Sequence, residues 1–87
     1  MYKVLKTTRI DMIEYVEADV QSVFENLSEQ YGVHFIIPAA RKHRIRKVNM
    51  ELERVSLLEV VQYICEIAGL NFRVEDKAVF ISGNARI

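Results

Sequence analysis

The chain has one cysteine, one proline, three glycines and no tryptophan among its 87 residues, and its twelve basic and twelve acidic side chains cancel. Each scarcity excludes something. A lone Cys65 closes no intramolecular disulfide, and with His34 and His43 as the only other soft donors no structural zinc site is expected. Stability must come from packing. A formal charge of zero removes the global attraction that drives non-specific binding to nucleic acid or to an anionic membrane, so such a partner would need a local patch. No apolar run approaches the roughly eighteen residues of a membrane span. Residues Met1 to Lys6 lack the apolar stretch and small-residue cleavage site of a signal peptide.

What is present is the profile of a folded domain, with 51% apolar and 28% charged residues. A chain of this size has material for one core. The dominant feature is an internal repeat. The run from Asp19 to Phe35 returns as Ser56 to Phe72, always 37 positions later, pairing Val20 with Leu57, Val23 with Val60, Leu27 with Ile64, Gly32 with Gly69 and Phe35 with Phe72. A repeat of this kind is one supersecondary unit used twice. The recurring positions are an apolar face and a helix stop, which specify a scaffold and carry no catalytic set.

Ahead of each unit, apolar and polar residues alternate. Ile13 and Tyr15 flank Glu14, and Met50 and Leu52 flank Glu51, a period of two that predicts strands. Asp19 and Ser56 then stand as N-caps, with Glu59 placed to complete a capping box on Ser56. Val20, Val23, Phe24, Leu27 and Tyr31 form one helical stripe, and Leu57, Val60, Val61, Ile64 and Ala68 form the other. In the second helix Leu58, Cys65 and Ile67 lie off the main stripe, which predicts cover on two sides. Gly32 and Gly69 supply the left-handed residue that ends a helix, and the apolar runs Val33 to Ile37 and Leu70 to Val74 are expected as buried strands. Glu75 to Lys77 is expected to turn into a last strand, Ala78 to Ile81. The expected class is α+β, a duplicated β-α-β unit in the order β-α-β-β-α-β-β, with two helices packed between small mixed sheets. The expected domain is single, 1–87, with its core in 10–82 and edges on either side.

Charge is distributed unevenly. Five of the twelve Lys and Arg residues, Arg41, Lys42, Arg44, Arg46 and Lys47, fall in the one long connection, Pro38 to Lys47, whereas Asp11 to Glu29 holds six acids and no base. Such asymmetry suits head-to-tail contact between copies or an oppositely charged neighbour. The candidate contact residues are Glu14, Glu17 and Asp19 on one side and Arg41, Lys42, Arg44, Arg46 and Lys47 on the other.

No catalytic or metal-binding set emerges, and no cofactor is implied. Cys65 has no histidine at helical spacing to activate it. Glu14, Glu17, Glu51 and Glu53 alternate along strands as on a solvent face and show no sign of converging in a cleft. The element order also fits the RNA-recognition sheet, but Val48 to Leu52 has no aromatic residue on which to stack a base and adds a carboxylate. The GXXG loop of the KH fold is missing as well. Binding of nucleic acid or another anionic ligand through residues 41–47 is therefore the alternative to a protein contact, and no nucleic acid is expected.

Taken together, the helix Val20-x-x-Val23-Phe24-x-x-Leu27-x-x-x-Tyr31-Gly32-Val33-x-Phe35, the strand Val48-x-Met50-x-Leu52, the helix Val55-Ser56-Leu57-Leu58-Glu59-Val60-Val61-x-x-Ile64 running to Gly69-Leu70-x-Phe72-Arg73-Val74, and Ala78-Val79-Phe80-Ile81 resemble the secretin and TonB short N-terminal domain. They also resemble the related C-terminal domain of membrane anti-sigma regulators. The likeness covers Ile10 to Ser82. It implies a non-enzymatic periplasmic module of a longer envelope protein, whose signal peptide has been removed or lies outside this chain. Its partners would be neighbouring domains of the same or another envelope protein, or further copies, with the membrane reached only through the parent protein. The basic connection departs from the family's common pattern of a short glycine-bearing turn.

Overall fold

The computed structural model describes residues 2–37 and 47–83. Eight elements follow one another: α1 (Tyr2–Thr7), β1 (Arg9–Asp19), α2 (Val20–Tyr31), β2 (Phe35–Ile36), β3 (Lys47–Ser56), α3 (Leu57–Ala68), β4 (Leu70–Val74) and β5 (Val79–Gly83). Most of the basic connection, residues 38–46, and the C-terminal flank beyond Gly83 lie outside the described residues.

The β-α-β pattern repeats with its offset intact, since adding 37 to each end of α2 gives the ends of α3. Both helices stop at a left-handed glycine, Gly32 at φ 70° and Gly69 at φ 71°, whose N–H groups donate to Ser28 and to Cys65 and Glu66. The starts differ. At α3 the Ser56 hydroxyl accepts from Glu59 N and the Glu59 carboxylate accepts from Ser56 N, a complete capping box. The Leu57 N–H, another donor without a partner inside the helix, donates to the Thr8 carbonyl at 2.9 Å. At α2 the Asp19 side chain makes no capping bond, so the acidic cap expected there is not used as one. Its carboxylate turns to Lys47 instead.

The strands sort into two sheets. β1 and β3, the opening strands of the two units, pair antiparallel as a ribbon, with Ile13 opposite Leu52 and Tyr15 opposite Met50. The closing strands β2 and β4 do not touch each other. β5 lies between them, parallel to β2 and antiparallel to β4, and the β4–β5 turn is closed by Glu75 N donating to the Ala78 carbonyl at 2.9 Å. The segments after the glycines, expected as buried strands, are one-sided. β4 alternates half-buried and exposed residues, and β2 is limited to Phe35 and Ile36. β4 pairs antiparallel with β5, and an antiparallel pair needs only one covered face.

One core joins all these layers. Val23, Phe24 and Leu27 of α2 and Leu57, Val60, Val61 and Ile64 of α3 share it with Ile10, Val48, Val33, Val79 and Ile81. Phe24 packs on Phe35 with ring centroids 5.1 Å apart, inside the range of favourable aromatic pairs. The N-terminal flank is more than an edge: it forms α1, packs on α3 and places Leu5 in the core with no exposed surface. This is the second cover that the broad apolar surface of α3 requires. Leu58 and Cys65 are buried, while Ile67 is 37% exposed. Burial pushes the Cys65 thiol up to about 12, which leaves it protonated and unreactive at neutral pH.

Candidate docking surface

A two-stranded ribbon is barely stable by itself, and here α2 and α3 back one face of it. Ile13, Tyr15, Met50 and Leu52 line the backed face. The opposite face follows from period two and carries Met12, Glu14 and Val16 of β1 beside Asn49, Glu51 and Glu53 of β3, all exposed. Val16 is 68% and Met12 51% exposed, so the face mixes apolar surface with carboxylates. Each strand of the ribbon has one neighbour, so its other edge is unpaired among the described residues.

The ladder puts Glu14 directly opposite Glu51. Like charges across a strand pair repel and cost stability. Among the described residues neither carboxylate enters an ion pair. Glu17 behaves differently. The register slips between Tyr15 and Ala18, so two residues of β1 oppose one of β3, and Glu17 takes a left-handed φ of 49°. Asn49 locks this bulge, its Oδ1 accepting from Glu17 N at 2.9 Å and its Nδ2 donating to Glu17 Oε2 at 3.1 Å. Asp19 then meets Lys47 at 3.0 Å, both side chains about half exposed.

Of the candidate contact residues, Glu14, Glu17, Asp19 and Lys47 thus lie along one ribbon, whereas Arg41, Lys42, Arg44 and Arg46 fall outside the described residues. Lys47 was expected at the end of the connection. It opens β3 instead, and pairs with one of the acids it was set against. The acidic and basic stretches of sequence therefore meet within the chain at this point. Among the described residues Glu14 keeps a free carboxylate, Glu17 is committed to Asn49 and Asp19 to Lys47. Sequence reading placed Glu51 on a solvent face but missed its pairing with Glu14, and missed Asn49 altogether. No local signal marks either, because both roles arise from strand register.

Tyr15 fixes the ribbon to α2. Its hydroxyl donates to Asn26 Oδ1 at 2.9 Å, and burial, with a lesser effect from nearby Tyr31, holds its pKa above the ordinary tyrosine value. Among the described residues no group of His, Cys, Asp and Glu is placed to hold a metal ion, and no helix is long and apolar enough to cross a membrane.

The class defined by this architecture is a small α+β domain of repeated β-α-β units that presents a charged two-stranded ribbon. The chain belongs to the family described as FecR, C-terminal, whose sequence model matches residues 12–81. No curated protein matches it. Among solved structures it is similar to the N-terminal domain of the secretin XcpQ from Pseudomonas aeruginosa, at 19% identity over 90% of this chain with a TM-score of 0.58. A dimeric mutant of the same secretin domain matches at 20% identity over 85% of the chain with a TM-score of 0.55. Identities this low establish a common fold. The chain spans 38% and 36% of those two secretin chains. Both resemblances read from the sequence, to the regulator domain and to the secretin domain, are thereby met.

Proposed function

We propose that this chain is a non-enzymatic protein–protein interaction module of a bacterial cell-envelope protein, working in the periplasm. Membership of the FecR C-terminal family over residues 12–81 and the fold shared with a secretin N-terminal domain support the setting. The observation that carries the docking role is the β1–β3 ribbon, which combines unpaired edges, exposed Met12 and Val16, and the opposed pair of Glu14 and Glu51. An exposed strand edge accepts a partner strand through main-chain hydrogen bonds, and charge complementarity selects which partner. Glu14 leads the acidic side of this contact with Glu17 and Asp19 beside it, and Arg41, Lys42, Arg44, Arg46 and Lys47 form the basic side, where a partner competes with the Asp19–Lys47 pair inside the chain. The partner is a neighbouring domain of the same protein, another envelope protein or a second copy. A dimer is known for the mutant secretin domain.

Cross-linking and light scattering on the full-length parent protein test this reading. Arg44→Glu with Arg46→Glu, and separately Glu14→Lys with Glu51→Lys, are each expected to reduce assembly, and the two pairs combined to restore part of it. Unchanged assembly in both sets removes the charged faces from the account. Filter binding of RNA at two ionic strengths separates the rival role of residues 41–47, which requires a steep fall in affinity with salt.

A further inference from the structure

A second surface lies on the other sheet, away from the ribbon. Phe24, Glu25 and Glu29 of α2 and His34, Phe35 and Ile37 around β2 enclose an open groove of about 310 Å³. Its floor is Phe35, backed by the fully buried Phe24 ring. One wall is helical and carries two exposed carboxylates one turn apart, a like-charge spacing that is itself unfavourable. Among the described residues neither Glu25 nor Glu29 enters an ion pair. The other wall is an edge strand among the described residues, where β2 has β5 as its one neighbour in the three-stranded sheet.

The polarity of that edge follows from one hydrogen bond. The His34 carbonyl accepts from Val79 N at 2.9 Å, so His34 directs its main-chain groups toward β5. Neighbouring residues of a strand direct their N–H and C=O groups to opposite edges. Phe35 and Ile37 therefore present theirs to the free edge beside the groove, and main-chain groups are obligatory hydrogen-bonding partners. A groove walled by a helix and an unpaired strand is the setting in which an extended peptide adds to a sheet, with alternate side chains filling the space next to the helix.

We infer that this groove binds an extended peptide segment of a partner protein in which aliphatic and basic residues alternate. The peptide's main chain pairs with Phe35 and Ile37, its Lys or Arg side chains face α2 and meet Glu25 and Glu29, and its aliphatic side chains lie on the opposite face beside the exposed Ile36. This site is distinct from the ribbon and does not depend on the ribbon's role.

Amide chemical-shift mapping with four acetylated heptapeptides tests it: alternating Lys and Val, alternating Glu and Val, and the Lys–Val peptide N-methylated at every second residue in each of the two phases. The Lys–Val peptide is expected to shift amides in 24–29 and 33–37, the Glu–Val peptide to leave them in place, and N-methylation in one phase to abolish binding. Glu25→Gln with Glu29→Gln removes charge at two exposed positions without touching the core, and is expected to weaken binding by about ten-fold. Equal binding of the Glu–Val peptide, shifts confined to β1 and β3, no shifts at all, or indifference to N-methylation in both phases each overturns the proposal. Shifts confined to β1 and β3 would at the same time support the ribbon.

Discussion

Glu17 and Arg54 stand 37 positions apart, each two residues before the last residue of its strand, and both adopt a left-handed backbone, at φ 49° and 53°. The repeat thus extends into a backbone conformation that neither residue type favours. A non-glycine residue held there costs on the order of 1 kcal/mol or more. The two sites carry the strain differently. At Glu17 it makes a bulge that Asn49 clamps, whereas at Arg54 the ladder keeps its register and the carbonyl accepts from Arg9 Nη2 at 3.3 Å.

Arg54→Gly is expected to leave stability unchanged or raise it by up to about 1 kcal/mol, because relief of strain competes with the extra freedom of glycine in the unfolded chain. Glu17→Gly gains the same relief but loses the Asn49 Nδ2 contact, so it should be the less favourable of the two. Urea midpoints of the two variants check the order. A β-branched residue at position 54 is expected to destabilise.

The unequal helix starts predict unequal costs. Ser56→Ala removes a working capping box and is expected to cost about 1 kcal/mol. Asp19→Ala removes only an exposed ion pair with Lys47, for which half a kcal/mol or less is expected, roughly the value of such pairs. Chemical denaturation of both variants decides it, and equal losses would contradict the capping geometry.

Leu5 tests the contribution of α1. A fully buried leucine truncated to alanine costs about 2 to 5 kcal/mol. Leu5→Ala should fall in that range, while Val4→Ala, at a position 48% exposed, should stay within about 0.5 kcal/mol.

Charge reversal on the ribbon separates stability from docking. Glu51→Lys converts the repulsive pair with Glu14 into an attractive one and is expected to stabilise the domain by about 0.2 to 1 kcal/mol. If the ribbon docks a basic partner, the same variant should weaken assembly of the parent protein. Thermal melts and light scattering on one variant therefore move in opposite directions.

The Cys65 thiol predicts alkaline behaviour. Its folded pKa of about 12 lies above the unfolded value, so the protonated form is favoured by folding. The contribution to stability is complete below about pH 8.5, the free-thiol value, and is lost as pH rises toward 12. A stability profile from pH 7 to 11 should therefore fall less steeply in Cys65→Ala than in the parent chain. Alkylation of native protein by iodoacetamide should be limited by unfolding.

The sequence by itself determined the elements whose causes are local. Helical periodicity, Ser56 with Glu59, and the two glycines set where α2 and α3 begin and end, and the 37-residue offset tied the units together. The off-stripe residues Leu58 and Cys65 announced a second cover for α3 without saying that α1 would supply it. What tertiary structure decided was pairing. Period two tells which face of a strand is buried but not which strand lies beside it, so nothing local required β1 to pair with β3 or β5 to enter between β2 and β4. The opposition of Glu14 and Glu51, the Asn49 clamp, the withdrawal of Asp19 from its helix to Lys47, and the edge of β2 left unpaired among the described residues all follow from that choice. They are consequences of register between segments 28 or more residues apart, where main-chain hydrogen bonds are indifferent to side-chain identity and only burial of the shared core selects the arrangement.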